Sequence, residues 1–168
     1  LAPQLSLVAA VAVVDALGSA GVTATIRWPN DVMAGNRKIC GMLPEARTTR
    51  EGTLEHVILG VGLNVNQRDF PAPIQTLATS VRIETGRGHD VEEMLEVVLA
   101  GLDGWYRRFV AGGLGAVSPA WLGRAQGIGS RARAADGREG VAVGLAADGA
   151  LLLRTDTGET VRVVAGEV

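Results

Sequence analysis

Residues 37–66, RKICGMLPEARTTREGTLEHVILGVGLNVN, contain two apolar runs that flank a polar segment. Residues 39–47 and 55–66 are rich in β-branched and other apolar side chains, which is typical of strands. The polar residues 48–53 between them include a glycine and are typical of a turn. We therefore predict an antiparallel β-hairpin at the centre of the fold.

The residues on either side of this hairpin predict further elements. Residues 4–16 are helix formers or apolar, and the glycines at 18 and 21 provide an end to that helix. Residues 22–27 alternate β-branched and small side chains, as a strand does. Residues 28–37 contain a proline, two asparagines and a glycine, so we predict a loop there.

Downstream of the hairpin, residues 78–83 predict a short strand, and the clearest helix of the chain follows. Asp90 with Glu93 three residues later matches a capping box, and apolar residues recur at helical spacing as far as Phe109. Residues 119–124 predict a further short helical segment.

After residue 127 the pattern changes to short strand-like runs at 130–135, 140–146, 151–154 and 160–164. Turn sequences rich in aspartate and glycine separate them, which predicts a small β-barrel or rolled sheet. We therefore predict an α+β chain with two domains, residues 1–122 and residues 123–168.

Composition narrows the function classes. The net charge is −2 and no stretch concentrates Lys and Arg, so we expect no nucleic-acid face. The single cysteine, Cys40, excludes an internal disulfide and fits a reducing compartment such as the cytoplasm. The apolar run at 5–17 is shorter than the roughly 20 residues that span a bilayer, so we expect no membrane anchor in it. Because residue 1 is leucine, we expect a fragment or a chain with a further N-terminal part.

The basic residues of the chain are almost all arginine. Of the 16 Lys and Arg residues only Lys38 is a lysine, which suggests a coding bias in which arginine replaces lysine wherever a positive charge is enough. The two side chains differ in geometry and hydration, so a retained lysine points to a position that needs a compact ammonium. Chance survival of one surface lysine is the alternative.

The unusual residues of the hairpin region predict a pocket on the sheet. Glycine inside an apolar strand is unfavourable, so Gly41, Gly60 and Gly62 suggest close approach of a ligand or of another strand. Asn64 projects to the same face as the asparagine two residues later, and Lys38 offers a cation beside it. Tight helix packing on the glycines is the alternative.

Other candidate residues have simpler interpretations. Trp28 and Pro29 could cap the core, and the two residues after them could form an ordinary turn. We interpret Cys40 as a small buried hydrophobic residue. His56 and His89 have no second ligand at metal-binding spacing, so we predict no metal site built from protein ligands.

Three segments together resemble bacterial biotin–protein ligases, also called biotin–[acetyl-CoA-carboxylase] ligases. They are residues 28–31 (WPND), 37–45 (RKICGMLPE) and 60–66 (GVGLNVN). The similarity continues through residues 78–80 (ATS), the capped helix, Trp121 and the C-terminal residues 165–168 (AGEV). It thus covers almost the whole chain in the order of the family's motifs.

This resemblance implies a fold and an activity. The family's catalytic domain is a mixed sheet packed with helices, related to class II aminoacyl-tRNA synthetases, and a small SH3-like β-barrel follows it. The family condenses biotin with Mg-ATP to biotinyl-5′-adenylate, and then transfers biotin to a lysine of the biotin carboxyl carrier protein of acetyl-CoA carboxylase. Homodimers are common in the family.

The resemblance also implies the roles of individual residues. Lys38 matches the active-site lysine that contacts the biotin carboxylate and the α-phosphate. The matching positions imply contacts with biotin or the adenylate for Lys38, Gly41, Gly60 and Trp28, and contacts with ATP for Asn30, Asp31, Asn64 and Arg27.

Two departures from the family pattern matter. The family usually has lysine where this chain has Arg27, which keeps the charge and changes the geometry. The family's Gly-Arg-rich loop, GRGR-x-GR, which closes over biotin and the adenylate, is absent; residues 86–88 (GRG) instead predict a loop leading into the capped helix. We therefore expect this chain alone to form a partial active site. A non-catalytic module that binds biotin or its adenylate, and a lipoate–protein ligase-like enzyme, remain alternatives, whereas a repressor would need a DNA-binding domain.

Overall fold

The computed structural model of the chain describes residues 2–164 and residue 166. The family-like C-terminal residues 165–168 therefore lie, except for residue 166, outside the described residues. The elements are α1 (Ala2–Ser19), β1 (Thr25–Arg27), β2 (Asp31–Ala34), β3 (Arg37–Thr48), β4 (Leu54–Leu63), α2 (Val81–Thr85), α3 (Val91–Gly112), α4 (Ser118–Leu122), β5 (Arg131–Arg133), β6 (Glu139–Leu145), β7 (Leu151–Arg154) and β8 (Thr160–Val163).

The first four strands form one sheet in the order β1-β2-β3-β4, and each neighbouring pair is antiparallel. The predicted hairpin is confirmed as β3 and β4, and the register pairs Gly41 with Gly62 and Leu43 with Gly60. Two isolated parallel bridges extend the sheet at its sides, Ile26 with Ala125 and Lys38 with Ala78. The predicted α+β class with both strand directions is therefore confirmed.

The prediction of a loop over residues 28–37 is wrong in part, because strand β2 lies inside it. β2 pairs with β1 on one side and with β3 on the other, and all four of its residues are buried. Gly35, at φ +58°, allows the tight connection to β3. Burial between two strands stabilises a segment whose local sequence favours a turn.

The prediction of a strand over residues 78–83 is also wrong, since the segment begins helix α2. The Ser80 side chain accepts a hydrogen bond from the Ile83 backbone N–H at 3.1 Å and caps the helix. Gly86, at φ +76°, ends it. Ala78 alone keeps the strand-like pairing, through its bridge to Lys38.

Two long helices cover one face of the sheet. Helix α1 is buried around most of its circumference because it lies between the sheet and α3. Gly101 of α3 lets the two helices approach closely, since a Cβ there would lie 3.6 Å from Ala12. The predicted cap of α3 is confirmed: the Asp90 carboxylate accepts from the backbone N–H groups of Glu92 and Glu93.

The last four strands form a second antiparallel sheet in the order β5-β6-β7-β8, which confirms the expected small β domain. Its connection to the first sheet runs along β1, where the Ile26 N–H donates to the Arg124 carbonyl at 2.8 Å and the Gln126 N–H donates to the Ile26 carbonyl at 2.9 Å. The β1 edge of the first sheet is therefore covered by the connecting segment. Among the described residues, no helix has the length and apolarity needed to cross a membrane.

Candidate functional site

A pocket of about 630 Å³ opens beside strand β2 and the amino-terminal half of β3. One wall is formed by these strands and the end of β4, and the other by residues 70–78, which return from β4 toward α2. The lining residues are Arg27, Asp31, Met33, Asn36, Lys38, Cys40, Gly41, Gly62, Asn64, Phe70, Ile74, Leu77 and Ala78. Five of the predicted site residues thus share one pocket: Arg27, Asp31, Lys38, Gly41 and Asn64.

A carboxylate flanked by two cations is the main charged feature of this pocket. The Arg27 guanidinium donates to Asp31 Oδ2 at 2.8 Å, and the Lys38 ammonium lies 2.5 Å from Asp31 Oδ1 in an ion pair. The Asp31 side chain is 13% exposed, whereas that of Lys38 is 45% exposed. The trio carries a net positive charge, and its accessible ammonium can face an anionic ligand.

Gly41 provides the space in which this ion pair forms. A Cβ at position 41 would lie 2.9 Å from Lys38 Cε and 3.0 Å from Lys38 Nζ. The Lys38 side chain therefore lies directly over the backbone of Gly41, which is on the same face of β3. This close approach accounts for a glycine inside an otherwise apolar strand.

The other two strand glycines extend the same bare surface. Their pairing places Gly60 and Gly62 on the same face as Gly41, opposite the face that carries α1. This face forms a shallow depression lined by Asn30, Lys38, Gly41, Met42, Leu43, Gly60, Val61 and Gly62. The helix-packing alternative is wrong for these residues, because the atoms closest to a Cβ at Gly60 or Gly62 belong to β3.

The asparagine side chains are used in three different ways. Asn64 lines the pocket and donates from Nδ2 to the Thr79 carbonyl at 3.0 Å. Asn30 lies in the depression and donates to the Met42 carbonyl at 2.7 Å, which ties the 28–31 loop to β3. Asn66 is bonded through both amide atoms to the His89 backbone, so it joins two loops.

Trp28 is the predicted site residue that lines neither the pocket nor the shallow depression. Its side chain is buried, and the indole N–H donates to the Gly149 carbonyl of the second sheet at 3.1 Å. It lines a separate small cavity with Leu7, Pro29 and residues 148–150, which connect β6 to β7. In this structure Trp28 holds the 28–31 loop against the C-terminal sheet.

Cys40 lies in the pocket wall with an unreactive environment. Its side chain is buried, and this burial raises the pKa of the thiol to about 12, so the thiol is protonated at neutral pH. The description of Cys40 as a small hydrophobic residue is thus confirmed. His56 is exposed on β4 and His89 contacts Thr85, and the described residues include no cluster of three or more His, Cys, Asp or Glu side chains able to hold a metal ion.

The apolar wall of the pocket was missed at the level of sequence. Phe70, Ile74 and Leu77 line this wall, and they come from a segment with prolines at 71 and 73. Ile74 and Leu77 are exposed although they are apolar. The available signal was three apolar residues in a proline-containing loop next to the asparagine-rich strand end. That pattern alone does not distinguish a loop that folds back over the sheet from one that leaves it.

Two protein-family models match this chain. Residues 1–64 match the biotin/lipoate A/B protein ligase family, and residues 127–168 match the biotin protein ligase C-terminal domain. The bifunctional ligase/repressor BirA of Bacillus subtilis is 37% identical over 162 residues, which cover 93% of this chain and 50% of the relative. This chain therefore spans half the length of that relative.

Two further matches cover more of the related protein. The biotin–[acetyl-CoA-carboxylase] ligase of Paracoccus denitrificans is 35% identical over 176 residues, covering 99% of this chain and 72% of the relative. The structure of the Aquifex aeolicus biotin protein ligase in complex with biotin and ATP superposes with a TM-score of 0.83 at 28% identity, covering 98% of this chain and 69% of that one. We conclude that the chain belongs to the biotin–protein ligase family.

Proposed function

We propose that the protein containing this chain is an ATP-dependent biotin–protein ligase that activates biotin as biotinyl-5′-adenylate and transfers it to a lysine of a biotin carboxyl carrier protein. One observation carries the proposal: the accessible Lys38 ammonium lies over bare glycine backbone and beside Asp31, in a chain of this family. The Aquifex relative binds biotin and ATP, and the Paracoccus relative is named for the carboxylase it modifies.

In the first step, a carboxylate oxygen of biotin attacks the α-phosphorus of ATP, and pyrophosphate leaves with the electrons of the broken P–O bond. Negative charge from the carboxylate and the phosphates converges in this transition state. Lys38 supplies a compact positive charge there, and its ion pair with Asp31 holds the ammonium in place before substrate binds. Arg27 adds a second cation on the far side of the same carboxylate.

In the second step, the amine of the acceptor lysine attacks the carbonyl carbon of the adenylate, AMP leaves and the amine loses a proton. The glycine face at Gly41, Gly60 and Gly62 gives a substrate group, such as the planar ureido group of biotin, access to the backbone. The apolar wall of Phe70, Ile74 and Leu77 suits the nucleotide base.

We treat Mg²⁺ as part of the Mg-ATP substrate. Both carboxylate oxygens of Asp31 already face cations. Residues 2–164 and 166 contain no group of three or more His, Cys, Asp or Glu side chains that could hold a metal ion. Mg²⁺ commonly keeps water and phosphate ligands instead of an all-protein cage, so it would arrive on the ATP phosphates.

We further propose a catalytic unit of residues 1–122 and a C-terminal unit of residues 123–168. The four-residue connection between α4 and residue 127 supports this boundary. In this scheme Trp28 acts from outside the pocket, by fixing the 28–31 loop. The single cysteine is buried and free, as expected for a protein of the reducing cytoplasm. Homodimers are common in the family, so we also propose a homodimer.

The central test is biotin transfer by the full gene product with Mg-ATP and a biotin carboxyl carrier domain. We expect transfer by the natural protein and a loss of about 100-fold or more in Lys38→Ala, because a positioned cation of this kind contributes at this level. Arg50→Ala, which removes an exposed cation from the turn between β3 and β4, is the matched control and should keep its activity. Normal activity in Lys38→Ala would remove the role of Lys38.

The same assay separates the alternatives. Lipoate accepted in place of biotin would support a lipoate ligase-like enzyme. Binding of biotinyl-adenylate in calorimetry without any transfer would support a non-catalytic module.

A second comparison tests why one position kept lysine. Lys38→Arg should lose most activity because a guanidinium is larger than the space above Gly41, whereas Arg27→Lys should keep most of it. Equal activity of Lys38→Arg and the natural protein would contradict this contrast.

A further inference from the structure

Glu84 lies on helix α2, outside the pocket lining, and makes two side-chain contacts. Its Oε1 accepts from the Arg37 guanidinium at 2.7 Å and also from the Thr79 hydroxyl. The Glu84 side chain is 22% exposed, and Thr79 is fully buried. A hydrogen bond from a buried hydroxyl to a carboxylate is charge-assisted, so this contact is stronger than an exposed ion pair.

Thr79 in turn connects directly to two pocket residues. Its backbone N–H donates to the Lys38 carbonyl at 2.9 Å, while the Lys38 N–H donates to the Leu77 carbonyl at 2.7 Å. The Thr79 carbonyl accepts from the Asn64 side chain at 3.0 Å. One buried residue therefore fixes both the backbone of the candidate catalytic lysine and the side chain of the pocket asparagine.

The rest of the surrounding segment is fixed to the sheet in the same way. The Val81 N–H donates to the Asn64 carbonyl at 2.9 Å, and the Ser80 hydroxyl donates to the Gln67 carbonyl at 2.6 Å. Arg37, the residue before Lys38, is tied to the helix through Glu84. The Glu84 carboxylate thus connects Arg37, at the start of β3, to residues 79–81, which are hydrogen-bonded to the sheet.

We propose that Glu84 is a positioning residue of the ligase site, which acts through Thr79 and Arg37 to hold Lys38 and Asn64 in their reactive arrangement. This inference rests on the ligase function proposed above. Positions of reacting groups matter steeply in such chemistry, since a displacement of about 1 Å can reduce a rate by about 100-fold.

The test compares Glu84→Ala and Thr79→Val with Glu96→Ala, which removes an exposed glutamate from the middle of α3. Adenylate formation by the full gene product is followed by pyrophosphate release, and kcat and KM for ATP are separated. We expect kcat to fall about tenfold in Glu84→Ala and Thr79→Val, with KM for ATP within about twofold of the natural value. Thr79→Ser retains the hydroxyl and should restore most of kcat.

A second readout does not depend on activity. Lys38 is the sole lysine of this chain. In the full gene product labelled with ¹⁵N-lysine at the side-chain nitrogen and at the backbone, the signals that disappear in Lys38→Arg are those of Lys38. We expect the Lys38 backbone amide signal to move in Glu84→Ala and Thr79→Val and to stay in place in Glu96→Ala. A structural role limited to general stability would lower the melting temperature without this selective shift.

The outcomes separate the two proposals. If the natural protein forms no adenylate, the proposed function fails, whatever the lysine signal shows. If the natural protein is active and both Glu84→Ala and Thr79→Val match Glu96→Ala in kcat and in the Lys38 signal, the positioning role of Glu84 is overturned.

Discussion

Glycines in the strands of the first sheet and glycines in the turns of the second sheet serve different physical purposes. In the first sheet Gly41, Gly60 and Gly62 lie inside strands, with backbone angles that any residue can adopt. In the second sheet Gly137 and Gly149 lie in turns at φ +87° and +92°, where side chains are strained. The three strand glycines therefore provide space, whereas the two turn glycines provide a backbone conformation.

Replacing the two kinds of glycine should therefore have different effects, one on the site and the other on the stability of the fold. A glycine that provides space for another side chain or a ligand is replaceable without loss of the fold, at a cost to the site. A glycine that provides a left-handed conformation is replaceable only at a cost to folding. The following predictions test whether the two classes are distinct.

The largest effect is expected for Gly149→Ala. The new Cβ would lie 2.9 Å from Leu7 Cδ1 of α1, and the left-handed φ adds backbone strain, so we expect a loss of about 3 kcal/mol in the free energy of unfolding. Urea denaturation measures it. Gly137→Ala is the matched control, because it has a similar φ and open space, and should lose about 1 kcal/mol. Equal losses in the two variants would show that contact with α1 is unimportant.

Gly41→Ala should have the opposite profile. Its Cβ would meet the far end of the flexible Lys38 side chain, which can move away with little strain, so stability should change by less than about 1 kcal/mol. The ammonium would leave its place over the strand, so kcat for adenylate formation should fall about tenfold. Unchanged kcat with a large loss of stability would place Gly41 in the same class as Gly149.

Gly60→Ala sharpens the same distinction. The nearest atom to its Cβ is the Leu43 carbonyl oxygen at 3.4 Å, so the substitution fits with a small adjustment. Restricting the unfolded chain should make the variant neutral or more stable by up to about 1 kcal/mol. We expect weaker binding of biotin, measured by calorimetry, because the methyl group stands on the bare face. Biotin binding equal to that of the natural protein would argue against this face as the biotin surface.

A further prediction concerns the opposite face of β3, where Cys40 is buried and no effect on the site is expected. Burial raises its pKa from 9.0 to about 12, so the folded state holds the thiol proton more tightly than the unfolded state does. The resulting stability is present below pH 9 and is lost as the pH rises from 9 toward 12. Denaturation at pH 8 and pH 10.5 should show this loss in the natural protein and a smaller one in Cys40→Ala. An identical pH dependence in both proteins would exclude the thiol as its source.

Elements that depend on local sequence patterns were predicted, and elements that depend on tertiary contacts were not. The hairpin of β3 and β4, the Asp90 cap and strand β7 were predicted because each depends on local patterns: apolar runs, a capping carboxylate and aspartate-glycine turns. Strand β2 and helix α2 were mispredicted. Their local residues favour turns and strands, and burial against neighbouring strands or the Ser80 cap decided otherwise.

The candidate site divides in the same way. Lys38 was singled out by composition and Gly41 by its unusual place in an apolar strand, and the structure brings both together. Trp28, predicted beside the ligand, faces the second sheet instead. The side on which a loop packs depends on partners more than 100 positions away, which no local pattern contains.

Sequence motifs, periodicity and composition were enough to predict the family, the central hairpin, the candidate lysine and the strand glycines, because these are properties of short segments. The folded structure was needed to show that Asp31 lies between Arg27 and Lys38, that Thr79 and Glu84 connect to the lysine backbone, and that residues 70–78 form one wall of the pocket. These arrangements join segments that are distant along the chain. Their geometry is fixed by packing of the whole fold, since each contact forms only after sheet, helices and loops have taken their places.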